Sequence, residues 1–138
     1  MKDANCIFCK IAAGEIPSST IYEDDMFRVI LDLGPAAPGH ALILPKEHFK
    51  DVTVLDEKHA AKILPLAAKI GSAQMKALGA AGFNVVQNNG TAAGQTVFHF
   101  HVHVIPRSEG GKLIAGWEPG SYAEGEMQKT ADRIKEAM

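Results

Sequence analysis

Residues Val97–Arg107 read Val-Phe-His-Phe-His-Val-His-Val-Ile-Pro-Arg, and the reading of this stretch decides the fold. His99, His101 and His103 alternate with Phe98, Phe100, Val102 and Val104. Such alternation is the pattern of a half-buried β-strand, because successive side chains point to opposite faces. The apolar set then faces a core, with Phe98 and Phe100 supporting the site from behind. The three imidazoles stand in a row on the other face, spaced by about 6.6 Å at the backbone. Three histidines in register beside the glycine-rich run Gly90–Gly94 form a candidate active site.

Working outward, Gly79–Gly82 ends a helix, Phe83–Gln87 reads as a strand, and Asn88–Gln95 is a turn-forming loop that feeds the histidine strand. Upstream, Asp56 to Leu78 is rich in Ala, Lys and Leu, and Asp56 is a good N-cap. Pro65 predicts a break near Leu64, since a proline deep in a helix costs about 3 kcal/mol. Leu66, Ile70, Met75 and Leu78 are expected to pack in the core, and His59 to be solvated. His40–Pro45 reads as a strand entered through the rigid loop Gly34–Gly39. Thr20–Tyr22 and Phe27–Leu33, joined by Glu23-Asp24-Asp25, read as a hairpin. Phe8–Ala13 has short helical character and stops at Gly14. Beyond the loop Ser108–Gly111 and the stretch Trp117–Gly120, an amphipathic helix is predicted from about Tyr122 to Lys135. The fold class is therefore α+β: a five-stranded antiparallel sheet, one long helix packed on it, and a C-terminal helix. One domain over residues 1–138 is expected, its core spanning about 5–107 and a tail about 108–138.

Composition narrows the function. The 138 residues are 46% hydrophobic and 22% charged, with a formal net charge of -2, so nothing global favours nucleic acid or an anionic membrane. No apolar run is long enough to span a bilayer, and the N-terminus does not read as a signal peptide; a cytoplasmic location is expected. Cys6 and Cys9 form a C-x-x-C pair. In a reducing compartment it is a redox pair, half of a metal site, or two buried thiols. Asp32, inside an apolar run, is either an exposed strand-end residue or an acceptor aimed at a ligand. The histidines themselves fit two mechanisms. One imidazole can act as a nucleophile toward phosphorus, with loop amides and Asn88, Gln95 and Thr96 near the phosphate. Alternatively, histidines at i and i+2 can share a catalytic zinc.

The string His99–Ile105 resembles the His-φ-His-φ-His-φ-φ motif of the histidine triad family of nucleotide hydrolases and transferases. Gly94-Gln95-Thr96-Val97, Pro38-Gly39-His40, Asp32 and Pro45-Lys46-Glu47-His48 match further family positions in order and spacing, over nearly the whole chain and closest to the Hint-like bacterial members. The resemblance implies that His101 is the nucleophile, nucleotidylated during turnover, and that His103 contacts the α-phosphate. It implies that Thr96 lies near the leaving group and that His40 and His99 complete the catalytic set. Asp32 would accept from the ribose hydroxyls, and Phe8, Ile11, Ile30, Leu31, Leu33 and Leu42 would form the base pocket. Asn88, Gly94, Gln95, Thr96 and Val97 would contact the phosphate and leaving group.

The resemblance further implies a structural zinc held by Cys6, Cys9, His48 and His99, with no organic cofactor. It implies a homodimer in which Trp117 and the C-terminal segment reach toward the partner's active site; the extra helix past Gly120 departs from short Hint proteins. The expected activity is hydrolysis of purine nucleoside phosphoramidates such as AMP joined to an amine. The alternatives are hydrolysis of dinucleoside polyphosphates, toward which Pro106-Arg107 leans, or a nucleotide-binding regulatory protein with weak catalysis.

Overall fold

The computed structural model describes residues 1–111 and 118–138. Five strands form one sheet: β1 (Thr20–Glu23), β2 (Phe27–Leu31), β3 (Ala41–Pro45), β4 (Gly82–Val86) and β5 (Val102–Arg107). They lie in the order β1-β2-β3-β5-β4, and every neighbouring pair is antiparallel. Among the described residues three α-helices accompany them: α1 (Ile7–Ala12), α2 (Glu57–Leu78) and α3 (Glu126–Ala137). The architecture is the α+β fold expected from the sequence.

The two-residue period of the strands divides the molecule into two chemistries. Register pairs Ile30 with Leu42 and Leu42 with His103, while Val29 pairs with Ile43 and Ile43 with Val102. Val29, Ile43, Val102 and Val104 pack under Ile63, Leu66, Ala67 and Ile70 of α2. The opposite face presents Ile30, Leu42 and Leu44 to Ala12, Phe8 and Ile11 of α1, and His103 shares that face by register. The larger core therefore lies on one side of the sheet and the histidine side is left for chemistry.

α2 runs unbroken through Pro65, contrary to the predicted break. Proline removes one helical N–H and leaves the Ala61 carbonyl without its donor. Ala61, Leu64 and Pro65 are all exposed, so water can satisfy that carbonyl. The buried face at Ile63, Leu66, Ala67 and Ile70 holds the helix across the gap. Met75 and Leu78, expected in the core, are 39% and 56% exposed: Met75 is turned off the sheet-facing stripe, and Leu78, in the last turn, meets the Gly39 turn. α2 starts at Asp56, whose carboxylate accepts from the His59 N–H, and ends at Gly79 with φ 68°.

His59, expected in solvent, is buried. Its Nδ1 donates to Asp56 at 2.7 Å, and the rings of Phe27 and Phe49 pack against it edge-on. The helix cap thus becomes part of the core. α3 starts later than predicted and buries none of its residues. Trp117 lies outside the described residues. Among the described residues no helix is long and apolar enough to cross a membrane.

The double use of Asp56 gives a stability prediction. Asp56→Ala removes the cap and the His59 partner together, and chemical denaturation should show a loss of about 1–2 kcal/mol. A change within error would mean that the cap contributes nothing to the fold.

Candidate active site

The histidine segment is not one regular strand. Pairing begins only at Val102; residues 98–101 bend away from the ladder. Phe100 N–H instead donates to the Phe49 carbonyl. His103 alone of the three imidazoles belongs to β5, and Phe98, expected to support the site from behind, is 43% exposed. Phe100 is buried in the α2-side core as predicted.

Backbone groups then fix each ring. A carbonyl only accepts, so an imidazole nitrogen bonded to one must carry the proton. His101 Nδ1 lies 2.7 Å from the His99 carbonyl and therefore donates. In the neutral ring Nε2 keeps a free lone pair. His99 Nε2 lies 2.9 Å from the Pro45 carbonyl, so its Nδ1 is the lone-pair nitrogen. An amide only donates: Ala36 N–H reaches His40 Nδ1 at 3.0 Å. His40 Nε2–H must then donate to His103 Nδ1 at 2.8 Å, leaving a proton on His103 Nε2. The site thus pairs a bare nitrogen on His101 with an N–H donor on His103, the ring centroids 5.0 Å apart.

Electrostatics agree with neutral rings. Burial pushes His103 down to about 4, and His101 and His40 act in the same direction. Burial also lowers His40 and His101, with Asp32 opposing the shift in both. Asp32 lies just past β2, with Oδ2 3.6 Å from His40 Nε2 and Oδ1 accepting from Gly34 N–H at 2.8 Å.

On the apolar side, Phe8, Ile11, Ile30 and Leu42 come together on the α1 face, and Phe8 packs edge-on to His101 at 5.0 Å. Leu31 does not join them. The strand period turns it to the α2 side, where it packs against the larger core, a correction to its place in the base pocket. Leu33, beyond the strand end, is fully exposed and lines nothing in this structure. In the loop, the Asn88 amide lies beside Gly94, where φ is 91°. Thr96 and Gly94 are exposed and Val97 half-buried. Gln95 is buried and bonds to Gly90 N–H, the Lys50 carbonyl and the Val97 carbonyl. Its polar atoms are committed to shaping the loop, so it is not free to contact a phosphate directly.

A second cluster adjoins the first. Cys6, Cys9, His48 and His99 bring one donor atom each to within 4.8 Å of one another. His99 Nδ1, the lone-pair nitrogen, is 3.4 Å from both sulfurs, and His48 Nδ1 is 3.4 Å from Cys9 Sγ. Burial pushes the Cys9 thiol up, and its neighbour Cys6 adds to the shift. Burial also drives His99 down to about 4, keeping its lone pair available. Two thiols and two imidazoles, with one imidazole already oriented by a carbonyl, are a donor set suited to a tetrahedral metal ion.

With this geometry in place, comparison with known proteins is decisive. The family model for the HIT domain matches residues 13–110.

The chain belongs to the histidine triad family.

This HIT chain is 45% identical over 105 residues to adenylylsulfatase HINT3 of Arabidopsis thaliana, covering 76% of itself and 53% of that protein. It thus spans about half that relative's length. It is 39% identical over 131 residues to adenosine 5′-monophosphoramidase hnt1 of Schizosaccharomyces pombe, covering 94% and 96%. A zinc-bound histidine triad family protein from Mycobacterium smegmatis superposes with a TM-score of 0.77 at 38% identity, covering 97% and 98%.

Sequence reasoning passed over three groups that orient the imidazoles: the Ala36 amide, the Pro45 carbonyl and the His99 carbonyl. Backbone groups leave no mark in side-chain identity. It also passed over Gln74, whose place on the apolar stripe, four residues after Ile70, was a signal.

The tautomers and the depressed His103 value can be measured. Long-range ¹H–¹⁵N spectra should show neutral His101 protonated at Nδ1 and neutral His103 protonated at Nε2. The His103 midpoint should lie near pH 4. A folded-state value below the ordinary 6.5 stabilises the fold fully above pH 6.5 and loses that contribution as pH falls toward 4. The melting temperature should drop across that window; a His103 midpoint at 6.5 would contradict the buried, neutral relay.

Proposed function

We propose that the chain hydrolyses nucleotides through a nucleotidyl-histidine intermediate on His101, with purine nucleoside phosphoramidates as substrates. The observation that supports this most directly is the 2.7 Å bond from His101 Nδ1–H to the His99 carbonyl, which leaves Nε2 as a lone pair. The Nε2 lone pair attacks the α-phosphorus, a P–N bond forms, and the bond from phosphorus to the leaving amine breaks as that nitrogen takes up a proton from solvent, which the later hydrolysis by water returns. The His101 ring, now substituted on both nitrogens, is cationic. A carbonyl accepting from Nδ1–H stabilises that charge, as the acceptor behind a catalytic histidine does in other nucleophile systems. His103 Nε2–H donates to a phosphate oxygen as negative charge builds there. Water then adds to phosphorus, the P–N bond to His101 breaks, and the nucleoside monophosphate leaves.

Phe8, Ile11, Ile30 and Leu42 provide an apolar surface for the base, and Asp32 an acceptor for the ribose hydroxyls. In this reading Asn88, Thr96 and the backbone at Gly94–Val97 contact the leaving group, and His40 holds His103. The relatives named adenosine 5′-monophosphoramidase and adenylylsulfatase both act on adenylyl groups by name, which supports nucleotide hydrolysis and leaves the leaving group to experiment.

Cys6, Cys9, His48 and His99 are the residues that would hold a structural zinc, in keeping with the zinc-bound relative. Bound there, zinc would supply a cross-link between the N-terminal segment and the residue whose carbonyl orients His101. Pairing of two copies into a homodimer is part of the same reading.

The test compares kcat/KM for adenosine 5′-phosphoramidate and diadenosine tetraphosphate, with His101→Ala as the blank. A preference for the phosphoramidate above tenfold, about 1.4 kcal/mol in barrier, is expected. The reverse preference makes the chain a dinucleoside polyphosphate hydrolase, and turnover that survives His101→Ala removes the nucleophile. Elemental analysis should find one zinc per chain, and Cys9→Ser should lower both zinc content and melting temperature. Substoichiometric metal after careful reconstitution would refute the structural zinc.

A further inference from the structure

Gln74 lies on the sheet-facing side of α2 and is 5% exposed. Its Nε2 donates to the Gly39 carbonyl and to the Val104 carbonyl, each at 2.9 Å. Both acceptors are backbone oxygens, so the amide can only be oriented with its NH₂ toward them. The other end of the side chain, Oε1, is buried with no partner among the described residues.

The two carbonyls are adjacent in sequence to the two rings of the relay. Gly39 precedes His40 and Val104 follows His103, and those imidazoles hydrogen-bond at 2.8 Å. From the far face of the sheet, one amide therefore ties together the two backbone points that carry the relay. α2 grips the same turn a second time: Gly39 has φ 92°, and a Cβ there would collide with Leu78. The orphaned Oε1 argues that packing is not the reason for this residue. An apolar side chain of the same length would fill the space without a buried, unpaired carbonyl.

We propose that Gln74 is a positioning residue that sets the separation of His40 and His103 and so aims the His103 N–H at the phosphate. The role in turnover rests on the hydrolase reading above; the geometric role does not. Without the amide, the His40 turn and β5 are free to shift relative to one another, and a displacement of about 1 Å at a reacting group can cost about a hundredfold in rate.

Gln74→Met keeps the length and removes the donor; Gln74→Asn, which cannot span both carbonyls, serves if the first variant does not fold. Ile70→Val, one turn earlier on the same buried stripe, is the control for general loosening of the core. Turnover of adenosine 5′-phosphoramidate and the slowly exchanging His40 Nε2–H proton signal are measured on the full chain. The expected result for the Gln74 variant is a kcat lower by about tenfold to a hundredfold, a KM little changed, and loss of the proton signal. Ile70→Val should lower the melting temperature while keeping kcat and the signal. Retention of the proton signal in the folded Gln74 variant overturns the proposal, as does a lost signal with unchanged kcat, or an Ile70→Val variant that reproduces the Gln74 effect. If the unaltered chain turns over neither the phosphoramidate nor diadenosine tetraphosphate, the hydrolase reading fails instead. The proton signal alone then decides whether Gln74 holds the two rings together.

Discussion

The site depends on backbone groups that can play only one part in a hydrogen bond. The His99 carbonyl can only accept, so His101 must donate from Nδ1 and expose a bare Nε2. The Ala36 amide can only donate, so the proton order through His40 and His103 runs one way, ending on His103 Nε2. A side-chain partner such as a hydroxyl could reverse its role and let the rings exchange tautomers. The fixed polarity of the peptide group forbids that exchange, and it does so in rings that burial keeps neutral. A bare nitrogen on His101 and an N–H on His103 are assigned by the fold before any ligand arrives.

That assignment needs a rigid frame, and the sheet supplies one by keeping its two faces apart. Residues one step apart in β2 and β3 belong to different cores: Val29 and Ile43 lie under α2, Ile30 and Leu42 under α1. The long helix buries the larger cluster and stabilises the sheet from behind, so the histidine face does not have to be closed by apolar packing. α2 is also connected to the site through its buried amide and its last turn, which meet the segment leading into His40. Structural support and chemistry share the same strands while occupying opposite surfaces.

Much of this was legible in the sequence, because alternation and helical composition are direct consequences of backbone geometry. The five strands, the Asp56 cap and the Gly79 stop are local properties, short connections favour antiparallel neighbours, and the candidate residues Cys6, Cys9, His48 and His99 converge as the family resemblance implies. The errors arise where a tertiary partner overrides the local signal. Pro65 reads as a break because its penalty is local, whereas the buried stripe that spans it is not. His59 reads as a surface residue because neither Phe27 nor Phe49 is near it in sequence. The family resemblance put Leu31 beside Ile30 in one pocket, yet the two-residue period separates them. Gln74 shows the opposite limit: a polar residue on an apolar stripe is visible, but its two acceptors come from distant parts of the chain.

The most instructive departure is the bend at residues 98–101. In a continuous strand His99, His101 and His103 would be equally spaced, and the His99 carbonyl would point sideways into the ladder. It could not then accept from the ring two residues later. Leaving the ladder before Val102 frees that carbonyl for His101 and turns the His99 ring toward the two cysteines. The ring also replaces part of the missing ladder, since its Nε2–H bonds the Pro45 carbonyl at the end of β3. His99 therefore joins two sites through different atoms, its ring in the sulfur cluster and its carbonyl on the His101 ring. Any force that orders the Cys6, Cys9 and His48 cluster also orders the acceptor that sets the His101 tautomer. The alternating histidines thus serve as three distinct parts because the strand pattern that suggests them is broken between the second and the third.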